Sequence, residues 1–158
     1  MPFTAIKLVQ RKPTQKPVQK PARKLPARMA AISRIQNLLY FDGGAKPNPG
    51  QMRCCVAITS VPTEYIFRYL NYGTNNVAEW YGLILAVRIA IDRQFDNVAI
   101  YGDSQLVINQ AKGLWRINVD EHRALYREFC QLRDKIDQCV LHQVPRENNL
   151  AGNYLEHH

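Results

Sequence analysis

Three strand-like runs, LLYFD, MRCCVAITS and TEYIFRYLN, follow one another from residue 37 with only GGAKPNPG and VP between them. Connections this short and turn-rich allow hairpins but no crossover helix, so the runs predict an antiparallel meander. The next segment, NNVAEWYGLILAVRIAIDRQ, changes period. Its Val77, Trp80, Tyr81, Leu83, Ile84, Ala86, Val87 and Ile91 make a broad apolar face at helical spacing, with Asn at hand as a cap. Gly82 inside that face marks a close packing of backbones. NVAIYGDS then predicts a buried strand running into the helix SQLVINQAK, and DEHRALYREFCQLRDKID a second amphipathic helix. CVLHQV is a last strand, and PRENNLAGNYL begins a last helix. The order βββαβα, a further helix, then βα predicts an α/β fold: a mixed five-stranded sheet, three antiparallel strands then parallel ones, flanked by helices.

With 158 residues and 46% apolar content the chain holds one ordinary domain plus a tail. Residues 1–36 form a basic, proline-rich arm. RKPTQKPVQKPARKLPAR repeats a KPxQ-like tetrad, and each Pro removes an amide donor, so this arm is expected to be extended. The arm holds nine of the 21 Lys and Arg and no acid, so the net charge of +8 belongs to it, and residues 37–155 are near neutral. A basic arm on a neutral domain suits a polyanion, most often nucleic acid; a solubilising or targeting tail is the alternative. Cys54, Cys55, Cys130 and Cys139 lack CxxC spacing and read as reduced, mostly buried thiols, which suggests a reducing, cytoplasmic setting, with organelle targeting by the arm as the alternative. No run reaches the ~18 apolar residues of a membrane span. The closing LEHH looks like the start of a vector-encoded tag, so residues 156–158 stay outside any metal-site argument.

Three carboxylates fall where this topology gathers ligands. Asp42 ends the first strand, Asp103 ends the fourth, and Glu79 stands in the first turns of the long helix. Ends of adjacent parallel strands are neighbours, and three acids meeting there repel one another unless a divalent cation is present. Oxygen-only ligands select a hard ion, Mg²⁺ or Mn²⁺, and such sites usually serve phosphoryl transfer. Taken singly, each acid reads equally as a turn, cap or solvated helix residue.

Their flanks, YFDGGAKPNPG, GTNNVAEWYGLILA, IYGDSQLVINQ and VPRENNLAGNYL, occur in an order and at distances that resemble the type 1 ribonuclease H family over residues 37–155. The resemblance implies a ribonuclease H-like fold and an endonuclease that cuts the RNA strand of RNA–DNA hybrids, leaving 5′-phosphate ends; a monomer is the expected state. It implies two metal ions held by Asp42, Glu79, Asp103 and a fourth ligand. It also places Gly43, Gly44, Asn48, Asn75, Asn76 and Gln105 against the hybrid. Amides suit this work, since they can donate to base acceptors and accept from the 2′-hydroxyl. The local alternatives are that the glycines and Asn48 only make the turn, and that Asn75 or Asn76 caps the helix.

The chain departs from the family pattern in three places. The closing motif, approximately RExNxxAD, is matched by Arg146, Glu147, Asn149 and Gly152, but Asn153 stands where the pattern has its fourth acidic ligand. An amide oxygen can coordinate a hard cation without supplying charge, so attenuated or Mn²⁺-favoured cleavage is expected. A hybrid- or double-stranded-RNA-binding protein with weakened or lost catalysis is the alternative. The family's auxiliary loop His has its nearest counterpart in His142, which falls in a strand and reads as a packed residue ahead of a proton shuttle. His122 is expected exposed on its helix. No basic helical protrusion separates the two later helices, and Trp115, in the short GLWRINVDEH link, is expected to pack in the core.

Overall fold

A computed structural model describes residues 35–158. The strands are β1 (Asn37–Ala45), β2 (Gly50–Ile58), β3 (Glu64–Gly73), β4 (Asn97–Gly102) and β5 (Gln138–Gln143). The helices are α1 (Asn75–Asp92), α2 (Gln105–Ala111), α3 (Asp120–Arg133) and α4 (Leu150–Glu156), with a 3₁₀ turn at Arg146–Asn148. The sheet order is β3-β2-β1-β4-β5. β1 and β2, and β2 and β3, pair antiparallel, while β1 and β4, and β4 and β5, pair parallel. This is the mixed sheet that the strand order predicts. The basic arm falls almost wholly outside the described residues.

β1 runs further than LLYFD alone suggests, through Gly43 and Gly44 to Ala45, so these glycines belong to the strand rather than to a turn. The centre of the sheet is covered on one face by α1, whose Val77, Trp80, Leu83, Val87 and Ala90 are buried with Leu39, Phe41, Val56 and Ile100. α3 adds Leu125 and Phe129, with the Phe129 ring edge-on to Trp80. On the other face α4 lays Ala151 and Leu155 against Cys55 and Ala57.

Two glycines bring α1 unusually close to β1. A Cβ on Gly43 would lie 2.1 Å from the Ala78 carbonyl oxygen, and one on Gly82 would lie 2.9 Å from the Asp42 carbonyl oxygen. Neither position tolerates a side chain at this separation. The approach carries Glu79, which lies between these contacts on α1, to the end of β1.

Two sequence expectations fail here. His122 is buried, at 6% exposure, because it shares a stripe of α3 with Leu125 and Phe129, three and seven residues on. Trp115 is 43% exposed and stands in the link between α2 and α3 outside the core. Among the described residues no helix is long and apolar enough to cross a membrane.

Candidate active site

Asp42 does not end β1, as the sequence suggests, but sits within it opposite Cys55, because the strand continues through Gly43 and Gly44 to the Ala45–Met52 pair. Asp103 follows β4 directly and precedes Ser104, whose hydroxyl caps α2 by accepting from the Val107 N–H at 3.2 Å. Glu79 comes from the second turn of α1, which is capped by Thr74 rather than by either Asn: its Oγ1 accepts from the Val77 N–H at 3.3 Å. One oxygen from each of Asp42, Glu79 and Asp103 lies within 4.8 Å of the other two.

The electrostatics of this cluster are strained. Asp42 and Glu79 are 2% and 8% exposed, and Asp42 Oδ1, Glu79 Oε2 and Asp103 Oδ2 are buried without a hydrogen-bond partner. Burial, then the Asp103 charge, lifts the Asp42 carboxyl from 3.8 to about 6. Glu79 is pushed up further in the same direction, by burial and then by Asp42 and Asp103. Three orphaned carboxylate oxygens, with no imidazole or thiolate among them, are a donor set suited to a hard divalent cation. Thiol chemistry is excluded beside them: burial pushes Cys54 and Cys55 up to about 12, so both stay protonated.

A groove of about 420 Å³ opens over the cluster. It is lined by Asp42 and Glu79, by Gly44, Lys46, Asn48, Arg53 and Asn75 on one side, and by Arg146 and Glu156 on the other. The amides are tied into the scaffold through their oxygens. Asn48 Oδ1 accepts from the Asn75 N–H at 3.1 Å, and Asn75 Oδ1 accepts from the Ala45 N–H at 2.8 Å. Each keeps its NH₂ as a donor. Asn76 and Gln105 are exposed at the starts of α1 and α2.

Two residues near the cluster have roles that the motif reading does not supply. The Arg146 guanidinium stands 3.9 Å from Asp103 Oδ2 and pairs with Glu156 at 3.0 Å; its charge opposes the rise at Asp42 and Glu79. Its signal is its place three residues past β5, which ends beside β4. Asn149 is fully buried. Its Nδ2 donates to the Phe41 carbonyl at 2.9 Å, and its Oδ1 caps α4 by accepting from the Ala151 N–H.

Asn153 lies one turn further along α4, exposed, with its Nδ2 donating to the Glu147 carbonyl at 3.3 Å. The adjacent Gly152 packs so near the acids that a Cβ there would stand 3.3 Å from Asp42 Oδ2. His142 is on β5, stacked on Tyr101 with ring centroids 5.0 Å apart, and Tyr101 stacks in turn on Tyr40.

Comparison with known proteins agrees with this geometry. The model of the family described as reverse transcriptase-like matches residues 63–157. Ribonuclease HI of Halobacterium salinarum is 33% identical over 119 residues, 73% of this chain; the chain spans 60% of that relative's length. A crystal structure of RNase H1 from the same archaeon is 31% identical with a TM-score of 0.70, covering 77% of this chain and 94% of the other. LC11-RNase H1, crystallised in complex with an RNA/DNA hybrid, is 26% identical with a TM-score of 0.68, covering 75% and 92%. The sheet order, the three converging acids and these relatives agree: the chain belongs to the type 1 ribonuclease H family.

Proposed function

We propose that this chain is a divalent-metal-dependent endonuclease that hydrolyses the RNA strand of RNA–DNA hybrids. The observation that carries the reading is the convergence of Asp42, Glu79 and Asp103, with an orphaned oxygen from each, beneath an open groove. Mg²⁺ or Mn²⁺, as a pair of ions, would be held by these three carboxylates with Asn153 at the rim as the fourth ligand. When bound, such ions lower the pKa of water and neutralise charge on a phosphoryl oxygen.

The protein's own part is placement. Asp42, fixed by sheet pairing and by the Asn149 bond to its neighbour Phe41, sets the position of a phosphate against the cluster. Asn48 and Asn75, with oxygens committed to backbone amides, offer NH₂ donors to base acceptors and to the 2′-hydroxyl, the group that distinguishes RNA from DNA. Gly44 leaves β1 bare for close approach of a backbone, whereas Gly43 is committed to α1. Asn76 and Gln105, exposed at the starts of α1 and α2, would add two further amide contacts. The basic residues of the arm would add sequence-independent attraction to phosphates.

A second reading, a hybrid- or double-stranded-RNA-binding protein with weakened catalysis, is favoured by one observation: the amide at Asn153, in place of an acid, is turned to the Glu147 carbonyl. One assay separates them. The protein is incubated with labelled RNA–DNA hybrid, single-stranded RNA, double-stranded RNA and double-stranded DNA, each with Mg²⁺ or Mn²⁺. Cleavage of the hybrid alone, lost in Asp42→Asn, supports the nuclease; binding without cleavage in either metal, with cleavage gained in Asn153→Asp, supports the second reading.

A further inference from the structure

The groove over the acids continues along β1 to a cation that the nuclease reading does not use. Arg53 of β2 pairs with Gly44 on one side and with Tyr69 of β3 on the other. Opposed residues of paired strands share a face, as do residues two apart on one strand, so Arg53 projects from the same face as Asp42. The sheet thus presents two neighbouring rows: Asp42, Cys55 and Phe67, then Gly44, Arg53 and Tyr69. The rows are two strand rises apart, about 6.8 Å. That is close to the separation of successive phosphates along one nucleic-acid strand.

Arg53 is half-buried and lines the groove with Lys46. Among the described residues it makes no ion pair, whereas Arg88, Arg93, Arg123 and Arg146 each hold a carboxylate. Gly44, opposite, puts no side chain in the way. Tyr69, 68% exposed and braced edge-on by Phe67 at 4.9 Å, closes the row at the sheet edge. The groove is therefore bipolar: acids that call for metal at one end, and an uncommitted guanidinium one row away. A guanidinium is the group best shaped to grip phosphate through paired N–H donors.

We propose that Arg53 is a phosphate anchor, holding the phosphate next in line to the one over the acidic cluster and so setting the register of the strand to be cut. This rests on the nuclease reading for the strand's identity. Arg53 is a positioning residue and moves no proton.

The test uses the full chain and its Arg53→Ala and Arg53→Lys variants. Binding of a fluorescently labelled RNA–DNA hybrid is measured by anisotropy in Ca²⁺ across a salt series, and cleavage in Mn²⁺ by steady-state kinetics. For Arg53→Ala, KM rises about five- to twentyfold with kcat within twofold, and the slope of log affinity against log salt flattens by about 0.7–0.9, the value of one lost phosphate contact. Arg53→Lys keeps the wild-type slope, since the charge remains, with KM between the two. An unchanged slope in Arg53→Ala overturns the anchor and leaves the nuclease reading standing. A wild-type chain that cleaves no hybrid overturns the nuclease reading, and the binding slope alone then decides the anchor.

Discussion

Replacing Asp42 with Asn should abolish cleavage yet make the metal-free protein more stable. In the folded state Asp42 titrates at about 6 against an ordinary 3.8, so folding favours its protonated form. A carboxyl raised in this way contributes stability that is complete below 3.8 and is lost as pH rises through about 6. The rise of about two units corresponds to ~3 kcal/mol of destabilisation above that window. Glu79, also raised and facing Asp42, adds to it in the same direction. The amide introduced by Asp42→Asn carries no charge at any pH, so the variant escapes this loss and also relieves Glu79. At roughly 4 °C per kcal/mol for a domain of this size, its Tm should exceed the wild type's by about 10 °C at pH 8 in EDTA. At pH 4 the gap should be small. Saturating Mn²⁺ should raise the wild-type Tm and leave the variant's nearly unchanged, because binding to the folded state alone stabilises it. Melts followed by circular dichroism, both proteins, both pH values, with EDTA or Mn²⁺, measure all of this. A wild-type-to-variant gap that is the same at pH 4 and pH 8 in EDTA would refute the reasoning.

Asn153→Asp should add a fourth charge beside the proposed metal site and lower the Mn²⁺ concentration for half-maximal cleavage about tenfold, read from a metal titration of the hybrid assay. His142→Ala removes a ring stacked on Tyr101 and should cost ~1 kcal/mol of stability with the pH profile of kcat unchanged; a lost basic limb would instead reveal proton transfer. Gly43→Ala forces a methyl against the Ala78 carbonyl and should cost ~3 kcal/mol, visible as a lowered urea midpoint. Deleting residues 1–36 removes nine Lys and Arg, and should raise KM and flatten its salt dependence while kcat stays within twofold. An unchanged salt slope there would leave the arm without a part in binding.

The fold was legible where local chemistry determines it. Short turn-rich connections forced the β1–β2–β3 meander, and the helical spacing of α1 left one choice of face. Asp103 could be placed because a residue just beyond a parallel strand has few places to go, whereas Asp42 lies inside β1, three residues before its end. What escaped depends on contacts distant in the chain. Asn149 has the composition of a loop residue, and only the crossing of α4 over β1, 108 residues away, buries it and gives both ends of its amide a partner. Arg53 looks like an ordinary strand cation until the register of β1 on β2 places it opposite Gly44. His122 is a different case: its three- and seven-residue spacing to Leu125 and Phe129 was in the sequence, and its polarity outweighed its period.

The register of α4 bears on what an acid at residue 153 would do. The helix starts from Asn149, which is tied to the carbonyl of Phe41, the residue just before Asp42. Its own carbonyl accepts from the Asn153 N–H at 3.0 Å, so residue 153 stands one helical turn above an anchor on β1. Between them Gly152 lets the helix lie against Asp42 Oδ2. The position of residue 153 is thus set by Asn149 and Gly152, neither of which depends on whether residue 153 is charged. An Asp there would lose the bond that the Asn153 amide donates to Glu147, an exposed contact of 3.3 Å, and nothing buried. An acid at residue 153 would therefore alter charge at a place whose geometry is fixed by other residues. For this reason Asn153→Asp should act chiefly on metal affinity, with Tm in EDTA unchanged at pH 4 and lowered by a few degrees at most at pH 8, where the added charge faces the other acids across an exposed position.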